Sequence, residues 1–320
     1  MLFGRVSDCD IDFFFNTLRR YPSLGTLVHS IKLSCWSATD TETYLRHIDL
    51  LPNVKQLEGF AWWIESDKEP QLPIRRQRLT SLQISALDPE FFPEATLADI
   101  FDLSRLSALA VRPAQFVPVP ENGTFRPLDW VDLSLFKQIP SSLSRLYIEG
   151  ILEEALPDLE DVLRKFTALE ELTLAVDELD MSQIGPLAVL QNLRSLTVTS
   201  GFNLDSLLDG LVVGHRSLFK LKVAASEGED DFSNGANGVQ NDVGQGHELH
   251  RLALAVVAAR NRDLLPSLHY ITLDRDYGRV DFGRRASMPT LRTMVRTLRD
   301  VGLVVEDGLG QQWQDAWFDE

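Results

Sequence analysis

The stretch of this sequence that comes closest to reactive chemistry is His247-Glu248-Leu249-His250. Two histidines one turn apart on a helix share a face and can hold one metal ion. The zinc-hydrolase pattern needs them four residues apart with Glu beside the first, and here the spacing is one short. No further His or Cys cluster offers a third ligand, so the stretch reads as a solvated helix start. Asp307-Gly308-Leu309-Gly310 reads as the turn after a last strand, Leu303–Val305. There is no Gly-x-Ser-x-Gly, no phosphate loop with its Lys and no Cys-x-x-Cys. The expectation is a protein that is not an enzyme, with no catalytic residue, no metal and no cofactor.

A different chemistry, that of contact, is carried by Arg145, Tyr147 and Glu149. Alternate residues of a strand project from one face, so these three stand in a row. Tyr and Arg are the types most often found as interface hot spots. The expected partner-binding set is Arg112, Arg145, Tyr147, Glu171, Lys220, Lys222 and Tyr270. Small neighbours, Ala108 and Ala110 among them, are expected to leave Tyr147 prominent above a shallow hollow. Over all the equivalent places, Lys32, Arg112, Arg145, Lys220 and Lys222 face Glu58, Glu149, Glu171 and Asp274, so this face is near neutral.

What must position those residues is a repeat. Apolar-x-x-apolar-x-apolar occurs at Val28-Ile31-Leu33, Leu79-Leu82-Ile84, Leu106-Leu109-Val111 and Leu143-Leu146-Ile148. It returns at Leu169-Leu172-Leu174, Leu193-Leu196-Val198, Leu218-Leu221-Val223 and Leu268-Ile271-Leu273, with a weaker copy at Val54-Leu57-Gly59. The starts are spaced 26, 25, 27, 37, 26, 24, 25 and 50 residues. All but the interval of 37 lie near one repeat length or twice it, a spacing that chance does not produce.

Helical faces fill the intervals: Ile11, Phe14, Phe15, Leu18; Leu159, Val162, Leu163, Phe166; Leu204, Leu207, Leu208, Leu211; Leu249, Leu252, Ala253, Val256; and Leu291, Met294, Val295, Leu298. Each unit is thus a helix, a turn and a short strand. Short parallel strands on the concave side with helices on the convex side predict an α/β leucine-rich-repeat horseshoe, a solenoid. A doubly wound α/β domain fits less well, because its central strands run continuously apolar. The Asn or Cys usual three places past the last apolar residue is missing throughout; Trp36, Leu87, Ile151 and Asp177 are among its replacements. The repeats are expected to lack that side-chain ladder.

The chain, 320 residues and 44% hydrophobic, has ample material for a core and is read as a single leucine-rich-repeat domain over 1–320. Residues 112–130 are a Pro-rich, aromatic insertion, folded over the rim or a docking segment. Residues 226–246 read as an acidic, disordered loop. Residues 306–320 form an acidic tail whose Trp313, Trp317 and Phe318 are expected to cap the core. A formal charge of −16 argues against nucleic acid or an anionic membrane as partner. Cys9 and Cys35 cannot build a disulfide framework, and no apolar run is long enough to cross a bilayer. The expected location is the cytoplasm, the nucleus or both.

Thr17–Ser34, "TLRRYPSLGTLVHSIKLS", resembles the segment that follows the F-box in fungal F-box and leucine-rich-repeat proteins. There a Leu- and Arg-rich helix leads through a Pro-small-Leu turn into the first strand. "FTALEELTL", "LQNLRSLTV" and "LLPSLHYITL" are similar to that family's repeats, and the likeness extends over most of the chain. The resemblance implies capture of a protein partner or substrate on the concave face, as by the receptor of a ubiquitin ligase. Met1–Ser7 leaves no room for the F-box itself, so a ligase adaptor is an expected partner only where an F-box lies upstream. The alternative is a leucine-rich-repeat scaffold or regulator outside ubiquitin chemistry, for example of the GTPase-regulating type.

Overall fold

The computed structural model describes residues 11–33, 38–62, 76–86, 97–113, 117–118, 125–126, 133–150, 156–175, 190–199, 216–224, 253–273, 288–307 and 310–313. Chain contacts gather into two compact units, Met1–Asp158 and Leu159–Glu320. Both are α/β, built on parallel strands.

In the first unit five strands lie side by side: β1 (Ser30–Lys32), β2 (Gln56–Trp62), β3 (Ser81–Ala86), β4 (Ala108–Pro113) and β5 (Arg145–Glu149). The register aligns the middle residues of the apolar triplets across the strands, Ile31, Leu57, Leu82, Leu109 and Leu146. All five are buried. In the second unit β6 (Glu171–Ala175), β7 (Ser195–Thr199), β8 (Lys220–Ala224), β9 (Tyr270–Leu273) and β10 (Val304–Asp307) do the same with Leu172, Leu196, Leu221, Ile271 and Val305. The predicted period is therefore the inter-strand register. Its physical basis is that in-line branched side chains on neighbouring strands bury one another, and a slip of one residue would expose them all.

Helices supply the other layer. α1 (Ile11–Arg20) buries Ile11, Phe15 and Leu18, while α2 (Ala38–His47) buries Tyr44 and Leu45 and packs on β2. α3 (Leu156–Lys165) buries Leu159 and Leu163; residues 253–261 are helical and bury Ala253, Val256 and Ala259. α4 (Met288–Asp300) buries Met294, Val295 and Leu298 against β10. The face Leu204–Leu211 lies outside the described residues, as do Leu249 and Leu252 of the 249–256 face.

Sequence reading missed a further core position, three residues ahead of a triplet. Leu51, Leu103, Leu190 and Leu265 occupy it, all buried, as does Phe166, which the sequence places on a helical face. Three-residue turns follow, closed by backbone bonds such as Val54 N–H to Leu51 O and Leu193 N–H to Leu190 O. They deliver each chain segment into its strand at the same height.

One triplet needs correction. The weak copy Val54-Leu57-Gly59 does not use Gly59 as its third apolar place: the register shifts between Leu57 and Phe60, and Phe60 pairs with Ile84. Gly59 is the extra residue of a bulge, with φ +76°. A bulge inserts one residue and leaves the flanking pairs aligned. The gain is aromatic, since Phe60 packs edge-to-face on Phe101, centroids 5.3 Å apart.

The ladder that the missing Asn or Cys would have made past the strands has a counterpart before them. In the first unit Thr80 Oγ1 donates to Lys55 O at 3.2 Å, Ser107 Oγ to Thr80 O at 3.0 Å, and Ser144 Oγ to Ser107 O at 2.9 Å. In the second, Ser217 Oγ donates to Leu193 O at 2.9 Å, and Ser267 Oγ reaches Arg216 O. Carbonyls just before a strand also accept two backbone N–H groups from the start of the next strand, as Lys55 O does from Thr80 and Ser81 and Arg194 O from Phe219 and Lys220. These bonds satisfy turn carbonyls that would otherwise be orphaned.

Within the 112–130 insertion, Val117–Pro118 pairs antiparallel with Phe125–Arg126. The 226–246 loop lies outside the described residues. Glu306 and Asp307, expected to begin the tail, belong to β10, and the chain then turns back. Asp307 Oδ1 accepts Gln311 N–H at 2.7 Å, Glu306 bridges Gln312, and Trp313 is buried, its backbone N–H bonded to Val305 O at 3.0 Å. Of the three aromatic residues of the tail, Trp313 is buried; Trp317 and Phe318 lie outside the described residues.

Candidate partner-binding face

The positions between the buried leucines project from the opposite face of each strand and form rows. In the first unit one row runs Ser30, Gln56, Ser81, Ala108, Arg145, each in register with the next. Another runs Gln83, Ala110, Tyr147, and a third sets Ser85 beside Arg112. Lys32 and Glu58 face each other and form an ion pair of 2.8 Å.

Three of these side chains are interlocked. Tyr147 Oη donates to Glu149 Oε2 at 2.7 Å. The Arg112 guanidinium carbon lies 4.9 Å from the Tyr147 ring centroid, a cation–π stack. Arg112 Nε stands 3.2 Å from Glu149 Oε2, with its N–H not aligned for a hydrogen bond. Tyr147 is consequently half-buried and clamped rather than free-standing above a hollow. Its phenol pKa is pushed up to about 12, chiefly by burial and then by the bond to Glu149 and that carboxylate's charge; Arg112 partly offsets them. Arg145 is exposed and has no ion-pair partner among the described residues.

In the second unit the rows are Glu171, Ser195, Lys220, Tyr270, Val304 and Thr173, Thr197, Lys222, Thr272, Glu306. Glu171 is exposed, Lys222 half-buried. Lys220 Nζ reaches diagonally across β9 to Glu306 Oε2, 3.2 Å away. Tyr270 packs on Phe219 with centroids 5.1 Å apart, and Phe219 stacks on His269 at 5.3 Å and 22°.

The structure thus places Arg112, Arg145 and Tyr147 together, and separately Lys220, Lys222 and Tyr270, each group on one strand face. Phe219 and His269 were missed. They occupy the place immediately before a strand, held elsewhere by Lys55, Thr80, Ser107 and Arg194; aligning the repeats one residue earlier would have exposed the aromatic pair. Ser85 and Thr272 were missed as well: both hydroxyls are buried without a hydrogen-bond partner. Asp274 and the His247–His250 stretch lie outside the described residues. Among the described residues no group of His, Cys, Asp and Glu could hold a metal, and no helix is long and apolar enough to cross a membrane.

No known protein-family model matches the chain, and no curated protein matches it.

Proposed function

We propose that the chain is a protein–protein recognition module of the leucine-rich-repeat solenoid class, whose outward strand rows form the concave face of a horseshoe. By its resemblance to fungal F-box and leucine-rich-repeat proteins, its partner is a substrate held for ubiquitin ligation where an F-box lies upstream. The supporting observation is the Arg112–Tyr147–Glu149 interlock. A Tyr and an Arg that are already held in place lose little conformational entropy when a partner docks, which is how hot-spot residues gain affinity. The near balance of charge on these rows, within a chain of net charge −16, further supports a contact role for this face.

The test is affinity capture followed by mass spectrometry, comparing the parent, a Tyr147→Ala/Arg145→Glu variant and an Arg262→Glu control. Arg262 is exposed at a helix end. A partner lost only from the double variant is the expected result. Loss only from the control would move the binding surface away from the strand rows.

A further inference from the structure

We infer that the chain pairs with a second copy of itself through the outer side of α1 and the turns that follow it, the two α1 helices running antiparallel about a two-fold axis. This goes beyond the recognition reading, which concerns the strand rows, and stands or falls separately from it.

Among the described residues of the first unit, the large apolar side chains left exposed are Phe13, Tyr21, Leu24 and Leu27, at 73, 60, 40 and 58%. All four fall within one short stretch. Phe13, Thr17 and Tyr21 succeed one another at four-residue steps, and Tyr21 N–H still bonds Thr17 O at 2.9 Å, so they line one side of α1. Ile11, Phe15 and Leu18 take the buried side. Tyr21 O then accepts Leu24 N–H at 3.0 Å, and Leu24 O accepts Leu27 N–H at 3.1 Å, which carries the ridge up to β1.

The repeat itself marks Leu27 as an exception. The same place, one residue ahead of an apolar triplet, holds Asn53, Arg78, Arg105 and Ser142 elsewhere in the first unit, all exposed. Those turns face water with polar side chains, whereas the turn before β1, the outermost described strand of this unit, does not. Single exposed apolar side chains are ordinary, but a contiguous set marks an association surface.

The charges select a second copy as its occupant. α1 has Asp12 in its first turn and Arg19 and Arg20 in its last. Arg19 already donates to Asn16 Oδ1 at 2.8 Å and to His47 Nε2 at 2.6 Å. Asp12 and Arg20 are exposed, and neither is held in an ion pair among the described residues. A two-fold axis across the helix sets the first turn of one copy against the last turn of the other. Asp12 then meets the partner's Arg20, the same pair forms again on the other side of the axis, and Phe13 meets the apolar end of the ridge. Such a patch is complementary to itself, which is what a two-fold interface requires. Antiparallel helices also bring opposite ends of their dipoles together.

The experiment is sedimentation velocity of the full chain over a dilution series. Expected is a dimer that dissociates on dilution. Leu27→Asn, which installs the residue found at the same place in the next repeat, should weaken it about tenfold or more. Asp12→Arg and Arg20→Asp should each weaken it similarly, because like charges then meet twice. Mixing these two variants in equal amounts should restore pairing, since both Arg–Asp contacts re-form between unlike chains. Arg262→Asp should pair as the parent does. If a charge variant does not fold by circular dichroism, the exposed Leu27→Asn variant decides. Undiminished pairing in Leu27→Asn, a mixture of folded charge variants no better than either alone, or equal loss in Arg262→Asp each overturns the inference. So does a chain that stays monomeric up to about 100 μM, which would leave the ridge to a different partner.

Discussion

Tyr147 donates a 2.7 Å hydrogen bond to Glu149, two residues along the same strand, while Arg112 of the neighbouring strand stacks on its ring. Residues i and i+2 of a strand share a face, and Arg112 closes on this pair from the side. The phenol's folded pKa, pushed up to about 12, lies above its ordinary value of 10.0. Such a group contributes stability that is fully present below the ordinary value and is lost as pH rises through the folded one. The parent is therefore expected to lose more stability between about pH 10 and 12 than Tyr147→Phe does, measured by urea unfolding. Identical pH profiles for the two proteins would show that the phenol is not held.

Leu172 and Leu196 pair in register and are buried. Replacing either by Ala is expected to cost about 2–5 kcal/mol in chemical denaturation. Thr197→Ala, on the opposite face of the same strand as Leu196, should stay within about 0.5 kcal/mol. A reversal of that order would put the strand the other way round.

Gly59 carries φ +76°, and a Cβ there would lie 2.4 Å from Leu33 O. Gly302 has φ +79° but open space around it. Gly302→Ala should cost about 1–2 kcal/mol, the strain of the left-handed backbone alone. Gly59→Ala should cost clearly more, because strand β1 must also move. Equal melting temperatures for the two variants would remove the bulge from the account of this sheet.

Tyr44, fully buried, donates to Gln77 Oε1, and Gln77 Nε2 donates to Leu51 O at 2.7 Å. Gln77→Leu strands the buried phenol, with an expected cost of about 1–3 kcal/mol, while Leu51 O keeps its bond from Val54 N–H. Tyr44→Phe in the Gln77→Leu background should be milder than the sum of the single changes, since the orphaned phenol is gone. Strict additivity in this double-mutant cycle would show that the two side chains do not act together.

The sequence by itself determined the repeat. Branched residues at fixed spacing can bury one another only if successive strands lie parallel and in register, so the triplet positions name the core, and Leu172, Leu196 and Ile271 are where that reasoning puts them. It determined the polar rows for the same reason, because strand residues alternate between faces. Three things belonged to tertiary structure. The bulge at Gly59 depends on how close the backbone of β1 passes, a distance no local pattern encodes. The pairing of Arg112 with Glu149 joins residues 37 positions apart, and spacing alone shows only that both face the same way, not that a ring lies between them to hold them. The Ser and Thr ladder ahead of the strands is legible only once the turns stand at equal height, because a hydroxyl's acceptor is the backbone of the neighbouring unit rather than its own.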